Sequence, residues 1–367
     1  MSKNKKKIAL AVTSFNGGGA ERVMVTLANK YIEWGYEVDF IVGFDEGPYK
    51  KILNSNVNKF VLYDKAYGRL KRRIRAFLNL RNYLSNTDSD VLMSTIRNFN
   101  VFVTMAHLLS TSKVKLILRE ADTLDRIFDK YQFKDKVLLC LMRFFYPKAL
   151  GLVANCKVTK TDLCAKINIK ENAIRVIYNP IDLSVVNRNK NIDKVNKKIV
   201  ACGRLDKKKN FNDLIRVIPL VKEKYPNLVL EILGEGQERE NLETLIESLK
   251  LNNSVKLVGF VDNPYAYYSQ ADVFVQTSLW EGFGYVLAEA MACGTAVVAY
   301  DSKGAMREIL ADGKYGILSP VGDLQALADA IVQQIEKPTS SELLIEAVER
   351  FDVDIIARQY LDAMGVK

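Results

Sequence analysis

Short apolar runs of strand length alternate with helical patterns along nearly all of the 367 residues, and this alternation restricts the fold more than any other feature. Ile8–Thr13, Glu37–Val42, Val91–Ser94, Val114–Leu118, Gly151–Asn155 and Ala173–Tyr178 read as strands in the first half. Lys198–Cys202, Val229–Gly234, Val255–Phe260, Ala271–Gln276 and Ala296–Ala299 do so in the second. Strands that take turns with helices predict parallel sheets with helices on their faces. A chain of this length is too long for one comfortable core. We therefore expect an α/β protein of two domains, 1–186 and 198–350, joined by the polar run 187–197 and followed by a helical tail, 351–367.

One stretch in the second half carries most of the chemistry. After the strand ending at Gln276 come Thr277 and Ser278, then Glu281-Gly282-Phe283-Gly284 opening an Ala/Leu/Met-rich helix that stops at Cys293-Gly294. Strand, tight turn and helix aim unpaired backbone N–H groups over the C-terminal edge of a sheet, a geometry that suits an anion such as phosphate. Glu281 falls in the loop and Glu289 inside the helix, on a small-residue face. A carboxylate there fits a ligand that donates hydrogen bonds, such as a sugar or ribose hydroxyl. A helix-terminal charge and a solvated glutamate would give the same two residues.

Two other strand ends add to this. Cys202 is followed by Gly203-Arg204-Leu205-Asp206-Lys207-Lys208-Lys209-Asn210. Arg204 can fork two phosphate oxygens and Lys209 adds a point charge, the chemistry a diphosphate leaving group requires; Lys207 and Lys208 are expected to be solvated. Near the N-terminus, Gly17-Gly18-Gly19 separates the first strand from a helix, Ala20 to about Trp34. It is a glycine turn of nucleotide-binding type but not GxGxxG, and a tight turn without ligand would look the same.

Glu-x7-Glu within Glu-Gly-Phe-Gly…Glu-Ala-Met-Ala-Cys-Gly, preceded by Gly-Arg-Leu-x-x-x-Lys, resembles the donor site of the family-4 retaining glycosyltransferases. The likeness covers nearly the whole C-terminal half, and it implies two facing Rossmann-like domains (the GT-B fold). It assigns Glu281 to the transferred sugar, Glu289 to the ribose hydroxyls, and Arg204 and Lys209 to the departing diphosphate. Gly282, Phe283, Gly284, Val286 and Leu287 would surround sugar and phosphate, chiefly through backbone amides, and Val261 would border the nucleobase. Gly18 and Gly19 match the family's first loop, Asn179-Pro180-Ile181-Asp182 its domain junction, and the tail would cross back onto the first domain. Two departures stand out: Asn210 replaces a usual glycine, and Arg119-Glu120-Ala121-Asp122 lacks the histidine that usually follows the glutamate. Glu120, with Asp122 beside it, is the expected substitute for that catalytic contact. The resemblance implies no cofactor and no metal, and a UDP-sugar as co-substrate.

Composition bounds the alternatives. Hydrophobic residues make up 49% and charged residues 26%, which is ordinary for a globular protein and excludes a disordered chain. One histidine (His107, on an apolar helix) and five cysteines without a CxxC pair argue against a zinc site and for free thiols in a reducing cytoplasm. Residues 1–190 hold 33 Lys and Arg against 17 Asp and Glu, a net of +16, whereas residues 191–367 hold 20 against 26. All excess positive charge thus lies in the first half. Within it, Tyr67–Leu84 sets Lys71, Arg72, Arg73 and Arg75 beside Leu70, Ile74, Phe77 and Leu78 at helical spacing. That helix is expected to lie on an anionic membrane. Nucleic acid is not expected, since no recognised nucleic-acid motif accompanies it, and a solvated face remains open. Val137–Phe145 is too short to span a bilayer and is expected to be a core helix.

The expected protein is therefore cytoplasmic and peripheral to the inner face of the membrane. It would transfer a sugar to a saccharide or polyprenyl-diphosphate-linked acceptor in cell-surface polysaccharide or glycolipid synthesis. A nucleotide-sugar epimerase of the same fold, and a non-catalytic basic module for anionic lipid or nucleic acid, are the alternatives.

Overall fold

The computed structural model describes residues 6–16, 18–64, 68–124, 133–189 and 197–366. They fall into two compact units, Met1–Pro180 with Val353–Lys367, and Ile181–Asp352.

The first unit is built on a seven-stranded parallel sheet. Its strands are β1 (Lys7–Val12), β2 (Glu37–Val42), β3 (Asn58–Val61), β4 (Val91–Thr95), β5 (Lys115–Glu120), β6 (Gly151–Ala154) and β7 (Ile174–Val176), in spatial order β3-β2-β1-β4-β5-β6-β7. Ile8 pairs with Val38 on one side and Val91 on the other, so β1 is central and its Ile8–Val12 side chains are wholly buried. Such runs form strands because both faces are covered by helices, which leaves no polar alternation. The order reverses between β1 and β4, and the crevice beyond their C-terminal ends is where open α/β sheets bind ligands. Helices α1 (Gly19–Glu33) and α3 (Arg97–Leu108) start at those two ends.

The remaining helices of this unit are α2 (Arg69–Asn86), α4 (Phe133–Phe145), α5 (Lys157–Ile167) and a C-terminal helix, Val353–Met364. In α2, Ala76, Leu80 and Leu84 face the core while Leu70, Ile74 and Leu78 stay exposed. The expected core helix at 137–145 is instead a surface helix. In α4 only Met142 is buried, and Phe133, Val137, Leu141 and Phe144 are exposed. Its apolar residues are too many for the single stripe that packing can cover.

The second unit begins with α6 (Leu183–Asn189), so part of the stretch read as linker is helical. Asp182 caps it, accepting from the Val185 N–H at 3.0 Å and the Ser184 hydroxyl at 2.6 Å. The sheet that follows comprises β8 (Lys198–Cys202), β9 (Val229–Leu233), β10 (Val255–Gly259), β11 (Val273–Gln276), β12 (Ala296–Tyr300) and β13 (Ile317–Ser319), ordered β10-β9-β8-β11-β12-β13. Helices α7 (Phe211–Lys224), α8 (Arg239–Ser248), α9 (Pro264–Gln270), α10 (Tyr285–Ala292), α11 (Met306–Ile309), α12 (Leu324–Glu336) and α13 (Ser341–Glu349) cover it. Ile199, Val200, Val273, Phe274 and Val298 are fully buried beneath them, each contributing roughly 1.5–3 kcal/mol. Here the reversal lies between β8 and β11. The segments that leave those two strands are Gly203–Asn210 and Thr277–Gly284, the two expected ligand loops.

Candidate active site

Three turns of the second unit are clamped together at this switch point. Leu279 N–H donates to Lys208 O at 2.9 Å, Thr277 Oγ1 to Lys209 O at 3.0 Å, and Glu281 N–H to Lys303 O at 3.0 Å. Gly304 has φ +136°, and a Cβ there would stand 1.8 Å from the Glu281 carbonyl oxygen, so only glycine permits the approach. Asn210 takes the left-handed conformation at φ 49° before α7 and donates to Asp213 at 2.6 Å. Asparagine tolerates that region better than other side chains, which suits it to a position where the resembled motif usually has glycine.

The loop delivers Glu281, 8% exposed, to a cluster of cations. Lys209 Nζ lies 2.5 Å from Oε1, Ser278 Oγ donates to the same oxygen at 2.9 Å, and Lys208 Nζ stands 3.6 Å from Oε2. Burial alone would raise the pKa of this carboxyl. The charges of Lys209 and Lys208, with the hydrogen bonds from Lys209 and Ser278, outweigh that and hold it at about 2. A carboxyl held this low stays ionised beside its lysines and suits charge stabilisation better than proton donation. Lys208, expected to be solvated, is part of the cluster and also lies over the Trp280 ring at 5.8 Å. Arg204 is exposed just beyond β8.

Helix α10 follows the loop, with Gly284 at its start at φ +81°. Its first N–H groups precede any acceptor within the helix, as at every helix N-terminus. Of the residues expected around the donor, Gly282 is buried, Val286 and Val261 are half-buried, and two belong to the core. Phe283 packs edge-on against Phe351 at 5.2 Å. Leu287 is fully buried and its N–H donates to Gly284 O at 3.0 Å, so neither its side chain nor its amide is offered to a ligand. Glu289 is 1% exposed, and Tyr265 of α9 donates to its Oε1 at 2.9 Å. Tyr265 escaped the sequence reading because a seven-residue helix shows no periodicity that marks one face.

In the first unit Gly18 precedes α1 and Gly19 opens it, both with φ outside the glycine-only region. Gly19 faces open space, while the Glu21 carboxylate folds back over Gly18. Gly17 lies outside the described residues. Glu120 is 3% exposed, accepting from Arg97 at 2.9 Å and from the Tyr146 hydroxyl at 2.8 Å. Both of its oxygens are occupied within the core. These bonds tie it to Arg97 at the head of α3 and to Tyr146. Arg97 follows Ile96, whose φ of 75° is a costly conformation for a β-branched residue and marks the end of β4 as a constrained turn. His107 is bound to Val114 O at 2.8 Å, as befits a structural histidine.

The arrangement was compared with known proteins. Residues 17–185 match the model of Glycosyltransferase Family 4, and residues 186–351 that of Glycosyl transferases group 1. A Campylobacter jejuni enzyme, N-acetylgalactosamine-N,N'-diacetylbacillosaminyl-diphospho-undecaprenol 4-alpha-N-acetylgalactosaminyltransferase, is 30% identical over 90% of each chain. The chain belongs to the family-4 glycosyltransferases. A second C. jejuni alpha-1,4-N-acetyl-D-galactosaminyltransferase, named for a GalNAc-containing PP-undecaprenol acceptor, is 27% identical over 97% of each chain. Among solved structures, Anabaena HepE in complex with UDP and glucose superposes with a TM-score of 0.81 at 23% identity, covering 98% of this chain and 99% of its own. The two parallel sheets are therefore those of a GT-B glycosyltransferase.

Proposed function

We propose that this glycosyltransferase moves a sugar from a UDP-sugar to a hydroxyl of a polyprenyl-diphosphate-linked saccharide, with retention of configuration and without a metal. The observation that carries the reading is the Glu281 cluster at the β8/β11 switch point, where Lys209, Lys208 and Ser278 meet the carboxylate on the loop that leads into α10, with Arg204 in the neighbouring loop after β8. As the anomeric C–O bond breaks, charge grows on the departing phosphate, and these groups would stabilise it. The two lysines, with Arg204 and the helix terminus, would supply the positive charge that a divalent ion supplies in other transferases. Glu281, ionised but held by Lys209 and Ser278, is badly placed to attack carbon. The acceptor hydroxyl therefore attacks from the face the phosphate leaves, and its proton passes to a phosphate oxygen. Glu289 and Tyr265 would hold the ribose.

Calorimetry with a panel of UDP-sugars tests the donor assignment. Glu289→Gln should weaken binding by roughly 1–3 kcal/mol through lost charge-assisted hydrogen bonds, with the fold intact. Unchanged affinity would remove Glu289 from the ribose site. Transfer should also persist in excess EDTA; loss that Mg²⁺ or Mn²⁺ restores would refute metal independence.

Membrane association at the inner face is proposed from α2 and from the basic first half. No helix among the described residues is long and apolar enough to cross a bilayer. Lys71 and Arg73 are exposed beside Leu70, Ile74 and Leu78, and each cation near an anionic surface contributes about 1 kcal/mol. Reversing Lys71, Arg72 and Arg73 to Glu should move the protein from the pellet to the supernatant when it is sedimented with anionic vesicles. Equal pelleting of both proteins would make α2 an ordinary solvated helix.

A further inference from the structure

A groove of about 1160 Å³ in the first unit has no part in the chemistry described above. It begins at Thr13, just past the C-terminal end of β1, and runs between α2 and α4 over the side chains of α3. Its floor is apolar, built on Phe99 and Phe102, which stack at 5.9 Å, with Phe77 edge-on to Phe102 at 5.8 Å and Met105 beside them. Its rims are Ile74 on α2, 52% exposed, and Leu141 on α4, 39% exposed. Arg72, Arg73 and Lys134 also line it, against a single acid, Asp135. The buried Arg72 Nε has no hydrogen-bond partner among the described residues.

We propose that this groove takes the hydrocarbon chain of an isoprenoid diphosphate, with the diphosphate toward Arg72, Arg73 and Lys134. The inference rests on the reading that the acceptor is lipid-linked. A flat bilayer face needs no concavity, whereas a chain drawn out of the bilayer needs one, lined by aromatic side chains and an adaptable methionine. The cations fix the sign of the head group, and the groove's start at the sheet edge places that head group where βα loops meet ligands. Outside the groove, Leu70, Phe133 and Phe144 are exposed on the same two helices, an apolar surface from which a chain could enter without crossing water.

Calorimetry on the full chain with farnesyl diphosphate, kept below its micellar concentration, tests this beside inorganic pyrophosphate. Farnesyl diphosphate should bind at least about tenfold more tightly than pyrophosphate, because the tail adds buried apolar area. Ile74→Asp with Leu141→Asp, both at exposed rim positions, should abolish that advantage while leaving pyrophosphate binding unchanged. Arg72→Gln with Arg73→Gln should weaken both ligands. Equal affinity for the two ligands, or an advantage that survives the aspartate pair, overturns the proposal. So does binding to vesicles of equal phosphatidylglycerol and phosphatidylcholine without binding of farnesyl diphosphate, which would make the two helices a bilayer face. UDP-sugar binding on the same samples separates the failures: if it persists the groove alone is wrong, and if wild type lacks it the transferase reading is wrong.

Discussion

Lys209→Met should destabilise the second unit by about 3–5 kcal/mol and reduce transfer to background, the largest effect expected of any single substitution in the site. Glu281 is buried, and its charge persists because Lys209 Nζ stands 2.5 Å away. Without Lys209, the desolvation that now loses to the cations would prevail, leaving only Lys208 at 3.6 Å to oppose it. The pH dependence fixes the sign. In the wild type the folded pKa of about 2 lies below the usual glutamate value. This group's stabilisation is therefore fully present above the unfolded pKa and disappears as pH falls toward 2. In Lys209→Met the folded pKa should exceed the unfolded one, so stability should fall as pH rises through the carboxylate range. Adding Glu281→Gln to Lys209→Met should restore stability but not activity. Denaturant titrations at several pH values measure all three proteins. A Lys209→Met midpoint equal to wild type at neutral pH would show that the pair contributes nothing to the fold.

Much of this site could be read from residues that are neighbours in sequence. Glu281 to Glu289, and Gly203 to Lys209, each follow a buried strand, and a parallel sheet brings consecutive strand ends to one edge. The sequence could not show that β8 and β11 adjoin, which follows from strand order, and so it could not show that Lys209 would pair with Glu281. The same gap explains Lys208, which looks solvated beside Lys207 until Trp280 is folded over it. Edge and surface elements were poorly legible because they lack alternation. β3 has all four residues exposed, and α4 carries apolar residues on the outside, which a burial argument assigns to the core. The burial of Glu120 was hidden for a related reason. Its position at the end of β5 suits catalysis, but the partners that occupy it, Arg97 and Tyr146, are 23 and 26 residues away.

Arg119→Leu should detach the C-terminal helix from the first unit, at a cost of roughly 3–5 kcal/mol. Arg119 precedes Glu120 at the end of β5. In the structure it is completely buried, and its guanidinium donates to the Tyr360 hydroxyl at 2.8 Å, Thr95 Oγ1 at 3.1 Å and Asn179 Oδ1 at 2.5 Å. A guanidinium placed there without partners would be prohibitively costly, so β4, β5, the 179 turn and residues 353–364 must be in place together. Leucine fills part of the volume but leaves the acceptors on Asn179 and Thr95 dry, each a loss of about 1–3 kcal/mol. Tyr360→Phe removes only one acceptor and should cost about 1–2 kcal/mol. Other contacts of this helix survive both changes, among them Tyr31 to Ala357 O at 3.3 Å and Lys30 to Asp354 at 2.8 Å. Loosening should therefore be local. Amide hydrogen exchange reads it directly: residues 353–364 should lose protection in Arg119→Leu and partly in Tyr360→Phe, while α7 in the second unit keeps its protection. Unaltered exchange in 353–364 would mean that the helix is held by its apolar face, Ile356, Ala357 and Leu361, and that Arg119 anchors nothing.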